Sequence, residues 1–478
     1  MSDIIFKYFE KISSIPRGSG NEKEISDYMV SFANDLGLEV IQDEVYNIII
    51  KKDASKGYED APTVILQGHL DMVCEKENDV DHDFEKDPLD LYIDGDLIRA
   101  RGTTLGADNG MAIAYQMAVL ASDTLEHPPL EILMTIDEER GMTGVANMHP
   151  EYLDGKILIN LDSEEEGEFL VSCAGGVRSQ LKLSHTSIDP DTSLKYYQIN
   201  ITGLIGGHSG TEIILERANS NILMGRLLND LNKNIDLKLS RVDGGSKDNV
   251  ITRDTKAIIG ISKDQEERFK DVIGKWQNIF KEEYRVQDPD IDIVVESLEL
   301  SSVEYILTED IKNKLISLLV LHPNGIQAMS KDMEGLVETS LNLGVLTTNS
   351  DSIILSSAIR SSVPSRKELL LEKVEELGKL VGAEYERIAD YPAWEYQPDS
   401  PIRETAIKVY KEMYNEEPKI NAIHAGLECG FISEKLPGID MISFGPNIRG
   451  AHTPDENLSI SSAKNVWDFL QELLKHIS

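Results

Sequence analysis

Cysteine is scarce: the only three among 478 residues are Cys74, Cys173 and Cys429, an odd number scattered along most of the chain. That implies no disulfide framework and favours a reducing compartment. Long hydrophobic runs are missing too; the longest, such as 318–321, fall far short of the roughly 20 residues a membrane span needs. Basic residues are few, 47 Lys+Arg against 84 Asp+Glu, for a net charge of −37. No basic stripe is available to displace phosphate counterions or to dock on an anionic bilayer, so neither nucleic acid nor a membrane is expected as a partner. Residues 1–15 carry Ile4, Ile5, Tyr8, Phe9 and Ile12 at helical spacing, without the basic and apolar regions of a secretory leader. A soluble, cytoplasmic protein is expected.

What is present is a globular composition, 41% hydrophobic, over a length that suggests two or three domains at about 150 residues each. The first part alternates strand and helix signals: a strand near 61–67, a helix near 111–122, strands near 130–136 and 156–161. That pattern predicts a largely parallel sheet covered by helices, with ligands gathering at the carboxyl ends of its strands. From about 177 to 390 the order becomes strand, helix, strand, strand, helix (196–202, 217–231, 236–242, 249–261, 265–284). It then runs through a second time (291–298, 309–321, 337–347, 352–361, 365–381), a candidate repeat of about 95–100 residues. After Tyr391-Pro392 the first style returns, with helices at 401–414 and 461–476 and a strand at 438–444. The expected organisation is an α/β catalytic domain with a mostly parallel sheet, split into 1–175 and 391–478, and an inserted α+β lid domain, 176–390, with the active site in the cleft between them.

Acids and histidines stand where these strands end. Gly68-His69-Leu70-Asp71 follows the first strand, and in extended chain residues i and i+2 share a face, so Asp71 is placed to orient His69; a surface pair reads equally well. Gly106-Ala107-Asp108-Asn109-Gly110 precedes a helix, where Asp108 reads either as a cap or as a ligand. Thr135-Ile136-Asp137-Glu138-Glu139-Arg140-Gly141 ends a buried strand, and three acids there are costly without a cation. Asp162 ends another strand, and His452 lies in a Gly/Pro loop. Together, two histidines and three carboxylates form an N/O donor set suited to two divalent ions, with one carboxylate bridging.

With these motifs in order, the chain resembles the aminoacylase/carboxypeptidase-G type di-zinc peptidases over nearly its whole length. The stretches around Asp79-Val80-Asp81-His82-Asp83-Phe84 and His424-Ala425-Gly426-Leu427-Glu428-Cys429-Gly430 are similar to the aminoacyl-histidine dipeptidase branch. The resemblance implies that His69 and Asp162 hold one zinc, Glu139 and His452 the other, and Asp108 both, with a cis peptide between Asp108 and Asn109. It makes Asp71 the group that orients His69 and Glu138 the general base; Co2+ or Mn2+ are possible substitutes for zinc. It also implies a lid built of two ferredoxin-like halves, in which His208 of Gly206-Gly207-His208-Ser209-Gly210 stabilises the oxyanion, while Asn249, Arg360 and Gly426 bind the substrate.

The function implied is hydrolysis of unblocked dipeptides, Xaa-His and β-alanyl-histidine among them. The alternatives are an N-acyl amino acid deacylase, a tripeptide aminopeptidase, or a metal-binding scaffold with a silent site. The chain is expected to act as a monomer or homodimer; in dimeric relatives the lid histidine reaches the partner's site, whereas here His208 and Asn249 fall in the first lid half and Arg360 in the second, so one chain is expected to suffice. His424, Glu428, His82 and the acidic stretch from Asp79 to Asp96 have no assigned role.

Overall fold

Apolar strands of four to six residues, each closed by polar residues, set up the first sheet in a computed structural model that describes residues 3–478; Met1 and Ser2, where the expected N-terminal helix begins, lie outside the described residues. That helix runs Ile4–Ser13 and buries Ile5, Phe9 and Ile12. The chain divides into two units, one formed by Met1–Ser172, Tyr396–Ala422 and Leu427–Ser478, the other by Cys173–Glu395 and Ile423–Gly426.

The first unit holds an eight-stranded sheet in the order Glu39–Gln42, Ile48–Lys52, Leu130–Thr135, Val64–His69, Ile157–Asn160, Asp440–Ser443, Glu168–Cys173, Lys419–Ile423. The four strands from Leu130–Thr135 to Asp440–Ser443 are parallel. Their side chains, Val64, Leu66, Ile132, Ile159 and Ile442 among them, are buried, as strands covered on both faces must be. Against the sheet lies the Ala107–Leu120 helix, apolar almost all round and buried along nearly its whole length. The Pro401–Tyr414 helix starts as its sequence predicts, with Pro at its first position and Ser400 Oγ accepting from Arg403 N at 3.3 Å. A second, four-stranded sheet (Ile448–Arg449, Asn457–Ser459, Leu97–Ala100, Leu91–Asp94) carries His452 in the turn of its first hairpin.

The second unit is built on one antiparallel sheet, ordered Asp292–Leu298, Lys195–Thr202, Thr255–Ile261, Lys238–Gly244, Val337–Thr348, Ser352–Ser361, Gly175–Ser184, Glu384–Tyr391, with Gly325–Met329 added beside Val337–Thr348. Four strands and the helices Ser220–Asn234 and Glu266–Glu283 make one ferredoxin-like half; four more with Glu309–Leu321 and Pro364–Val381 make the other. The two halves do not follow one another in the expected tandem order. Asp292–Leu298 does not open the second half: it pairs with Lys195–Thr202 and completes the first. The strand opening the second half is Gly175–Ser184, paired with Ser352–Ser361 and Glu384–Tyr391. One half is therefore nested inside the other. The halves join where Gly244 pairs with Leu346, and their helices meet at Gly225, where a Cβ would stand 2.5 Å from that of Leu319. Among the described residues no helix is long and apolar enough to cross a membrane.

Candidate metal centre

The carboxyl ends of the parallel strands bring His69, Asp71, Glu138, Glu139 and Asp162 together, the start of the Ala107–Leu120 helix adds Asp108, and the Ile448–Arg449 hairpin adds His452. His69 Nε2 stands 3.2 Å from Asp108 Oδ1 and 3.4 Å from Asp162 Oδ1. His452 Nε2 stands 3.1 Å from Asp108 Oδ2 and 3.0 Å from Glu139 Oε2. Asp108 thus gives one oxygen to each histidine. Three donor sets, His69–Asp108–Asp162, Asp108–Glu139–His452 and His69–Glu138–Glu139, each converge within 4.8 Å, and the first two share Asp108. The Asp108–Asn109 peptide is cis.

Asp71 is fully buried and works along the rim of this cluster. Its Oδ1 lies 3.3 Å from His69 Nδ1 and accepts from Glu138 N at 3.1 Å; its Oδ2 accepts from Ser19 Oγ at 2.8 Å and Glu139 N at 3.3 Å. Against the cost of burial, these partners hold its carboxyl at about 2. Of the three acids after Thr135, Asp137 is turned aside, taking Arg140 Nε at 2.7 Å and Thr143 Oγ1 at 2.6 Å. Glu138 and Glu139 remain for the cluster.

The electrostatics describe a place for positive charge. Burial, with Asp108 and Glu139 beside it, pushes Asp162 up to about 6 despite His69. Burial and the nearby Asp162, Glu428 and Glu139 drive Glu138 well above the ordinary carboxyl range, with His69 opposing. Bonds to Asp108 and Glu139 push His452 up to about 11. Glu139 Oε1 is buried without a hydrogen-bond partner. Imidazole nitrogen with carboxylate oxygen, crowded and incompletely partnered, fits divalent cations of the zinc type.

Glu428, which the sequence left unassigned, lies buried at the edge of this cluster. Gln67 Nε2 and Thr135 Oγ1 donate to its Oε2 at 2.5 and 2.7 Å, and burial pushes it up to about 7. Its only sequence signal is an acid beside the Gly426 turn.

The second unit holds the other four selected residues. Gly207–His208 bridges Val250–Ile251, and Asn249 O accepts from Ser209 N at 2.9 Å. His208 Nδ1 accepts from Thr211 N at 3.1 Å and Gly210 N at 3.3 Å, so the neutral ring carries its proton on Nε2. Burial and then Arg360 lower the pKa of that ring. A Cβ on Gly210 would lie 2.9 Å from His208 Cε1, 3.1 Å from Arg360 Nε and 2.6 Å from His424 O, which places those groups around one small residue. Arg360 Nη1 donates to Tyr391 Oη at 2.8 Å, leaving its buried Nε unpartnered. Gly426 belongs to the short segment Ile423–Gly426 that joins this unit.

Strand-end acids and histidines on a parallel sheet, with a separate doubled α+β unit, define a metal-dependent hydrolase. The chain belongs to the peptidase family M20/M25/M40, whose model matches residues 65–476, and is a metallopeptidase. It is 40% identical over 475 residues to the cytosol non-specific dipeptidase of Escherichia coli (strain K12), across 99% of this chain and 97% of that protein. The crystal structure of aminoacylhistidine dipeptidase from Vibrio alginolyticus matches with a TM-score of 0.94 and 38% identity, covering 99% of this chain and 96% of that one. Aminopeptidase PepT from Bacillus cereus shares the fold, with a TM-score of 0.57 and 14% identity over 99% and 98% of the two chains.

Proposed function

We propose that this metallopeptidase is a cytosolic two-zinc dipeptidase acting on unblocked dipeptides, Xaa-His and β-alanyl-histidine included. The observation that carries the reading is the division of Asp108 between the two histidines. In this reading His69 and Asp162 hold one ion, Glu139 and His452 the second, and Asp108 both. Bound there, two divalent cations supply the positive charge that acidifies a water and polarises the scissile carbonyl.

The rest is the work of the chain. Glu138, raised by burial, accepts the proton of the attacking water and delivers it to the leaving amine. Asp71 keeps His69 in one ring orientation and fixes the peptide of Glu138 and Glu139. His208, with its proton on Nε2, donates to the oxyanion as it develops. Arg360, held by Tyr391, takes the carboxylate of the dipeptide, with Asn249 and Gly426 beside it.

The relatives' names, a non-specific dipeptidase and an aminoacylhistidine dipeptidase, support the substrate class. The test is a substrate panel on the zinc-loaded protein: Xaa-His and other free dipeptides, their N-acetylated forms, and tripeptides. Cleavage of the free dipeptides is expected. Turnover confined to N-acetylated substrates or to tripeptides overturns the reading, as does zinc binding without hydrolysis of any peptide.

A further inference from the structure

Four consecutive backbone N–H groups converge on one buried carboxylate. Glu456 Oε2 accepts from Leu105 and Gly106 at 2.8 and 2.9 Å, and Oε1 from Ala107 and Asp108 at 2.8 and 3.3 Å. These amides stand ahead of the regular part of the Ala107–Leu120 helix, which is interrupted by non-helical backbone at Asp108 and Asn109, so a helical ladder does not take up their N–H groups. Glu456 is 2% exposed, and both its oxygens are engaged by these backbone amides. It lies four residues beyond His452, in the same hairpin between Ile448–Arg449 and Asn457–Ser459.

Arg17, equally buried, works from the opposite side. Its Nη1 donates to Leu70 O and Asp71 O at 3.0 and 2.9 Å, and its Nη2 to Gly106 O. Gly106, at φ +64, has no room for a side chain: a Cβ would lie 2.6 Å from Arg17 Nη2. Two buried charges of opposite sign therefore grip the backbones of the His69, Asp108 and His452 segments.

We infer that Glu456 is a positioning residue for the metal centre: by fixing the 105–108 backbone from within the His452 hairpin, its carboxylate sets Asp108 and His452 at the separation at which both reach one ion. The inference rests on the reading of those two residues as ligands. Chemistry makes the carboxylate specific to the task. Two oxygens offer four acceptor positions to four donors, whereas a carboxamide of the same shape turns an NH2 toward two of them.

The experiment is zinc titration of the metal-free protein against a competing chelator, well below its Tm, with Tm measured with and without zinc. Glu456→Gln is expected to bind zinc 10–100-fold more weakly than the native chain, with a smaller zinc-induced rise in Tm. Glu131→Gln is the structural control. Glu131 is also 2% exposed and accepts from Asp154 N and Gly155 N at 3.0 Å, on a loop with no candidate ligand. It is expected to lower the metal-free Tm and leave zinc affinity native. Glu456→Asp, which keeps both oxygens at shorter reach, is expected to fall between native and Glu456→Gln, and it carries the test if the latter does not fold. Native zinc affinity in the Glu456 variants, or an equal loss in Glu131→Gln, overturns the inference. Absence of zinc binding by the native chain overturns the ligand reading, and this inference with it.

Discussion

Asp108 has two oxygens and a different histidine on each, so no single neighbour satisfies it; Glu138 is instead raised by burial among other acids. In the proposed role, Glu138→Ala lowers kcat about 10²–10⁴-fold, the usual worth of a general base, while zinc stoichiometry stays native; single-turnover kinetics beside metal analysis checks both. His322 gives a stability prediction far from this chemistry. Its Nδ1 bonds Pro323 O at 2.8 Å, its Nε2 lies 3.3 Å from Ser357 Oγ, and burial pushes it down to about 4. Neutral in both states above about pH 6.5, it withholds a proton in the folded chain that the unfolded chain takes up below that pH. Its contribution is whole above about 6.5 and is lost as pH falls toward about 4, at up to ~1.4 kcal/mol per pH unit. His322→Gln flattens that part of the curve in urea unfolding across the window. The ligand-type residues were legible because each follows an apolar strand or sits in a Gly-flanked turn. Arg17, Glu428 and Glu456 were not: their partners are amides, carbonyls and amide side chains up to 361 positions away, and such pairings leave no local pattern.

Among elements, long periodic segments were readable nearly to the residue: Glu309–Leu321, Ser352–Ser361 and Pro401–Tyr414 run as their sequences predict. The short strands Leu91–Asp94, Leu97–Ala100 and Gly325–Met329 were not, being half-exposed pieces held by cross-strand neighbours rather than by strong alternation. The nesting of the halves escaped for a different reason. Element order looks tandem from either reading, and only pairing assigns Asp292–Leu298 and Gly175–Ser184 to their halves. The seam between halves has its own requirement. Gly245 has φ +75, and a Cβ there would lie 1.9 Å from Gly344 O. Gly245→Ala combines a left-handed backbone penalty with an overlap, and is expected to destabilise by about 2–4 kcal/mol, read as a lower urea midpoint.

For the molecule as a whole, the net charge of −37 includes a small group of acids crowded at one point, and if they hold zinc as proposed, its removal has a calculable effect. Zinc at about 100 times its Kd adds about 2.7 kcal/mol to stability by mass action, so chelator is expected to lower Tm as well as abolish turnover, and re-addition to restore both. The doubled unit bears on assembly. His208 and Arg360, from different halves, gather around Gly210 within one chain, so activity per chain is expected to survive dilution to monomer at saturating zinc; loss on dilution contradicts it.

The segmented layout also sets a schedule for biosynthesis. His69, Asp108, Glu139 and Asp162 leave the ribosome early, but His452 and Glu456 follow only after the whole second unit has been made. With chains growing at about 5–20 residues per second, the acidic half of the proposed centre waits many seconds for its last histidine. A nascent or prematurely ended chain therefore lacks the Asp108–Glu139–His452 donor set, and a peptide-cleaving centre that used it would be switched on only once synthesis had passed Glu456.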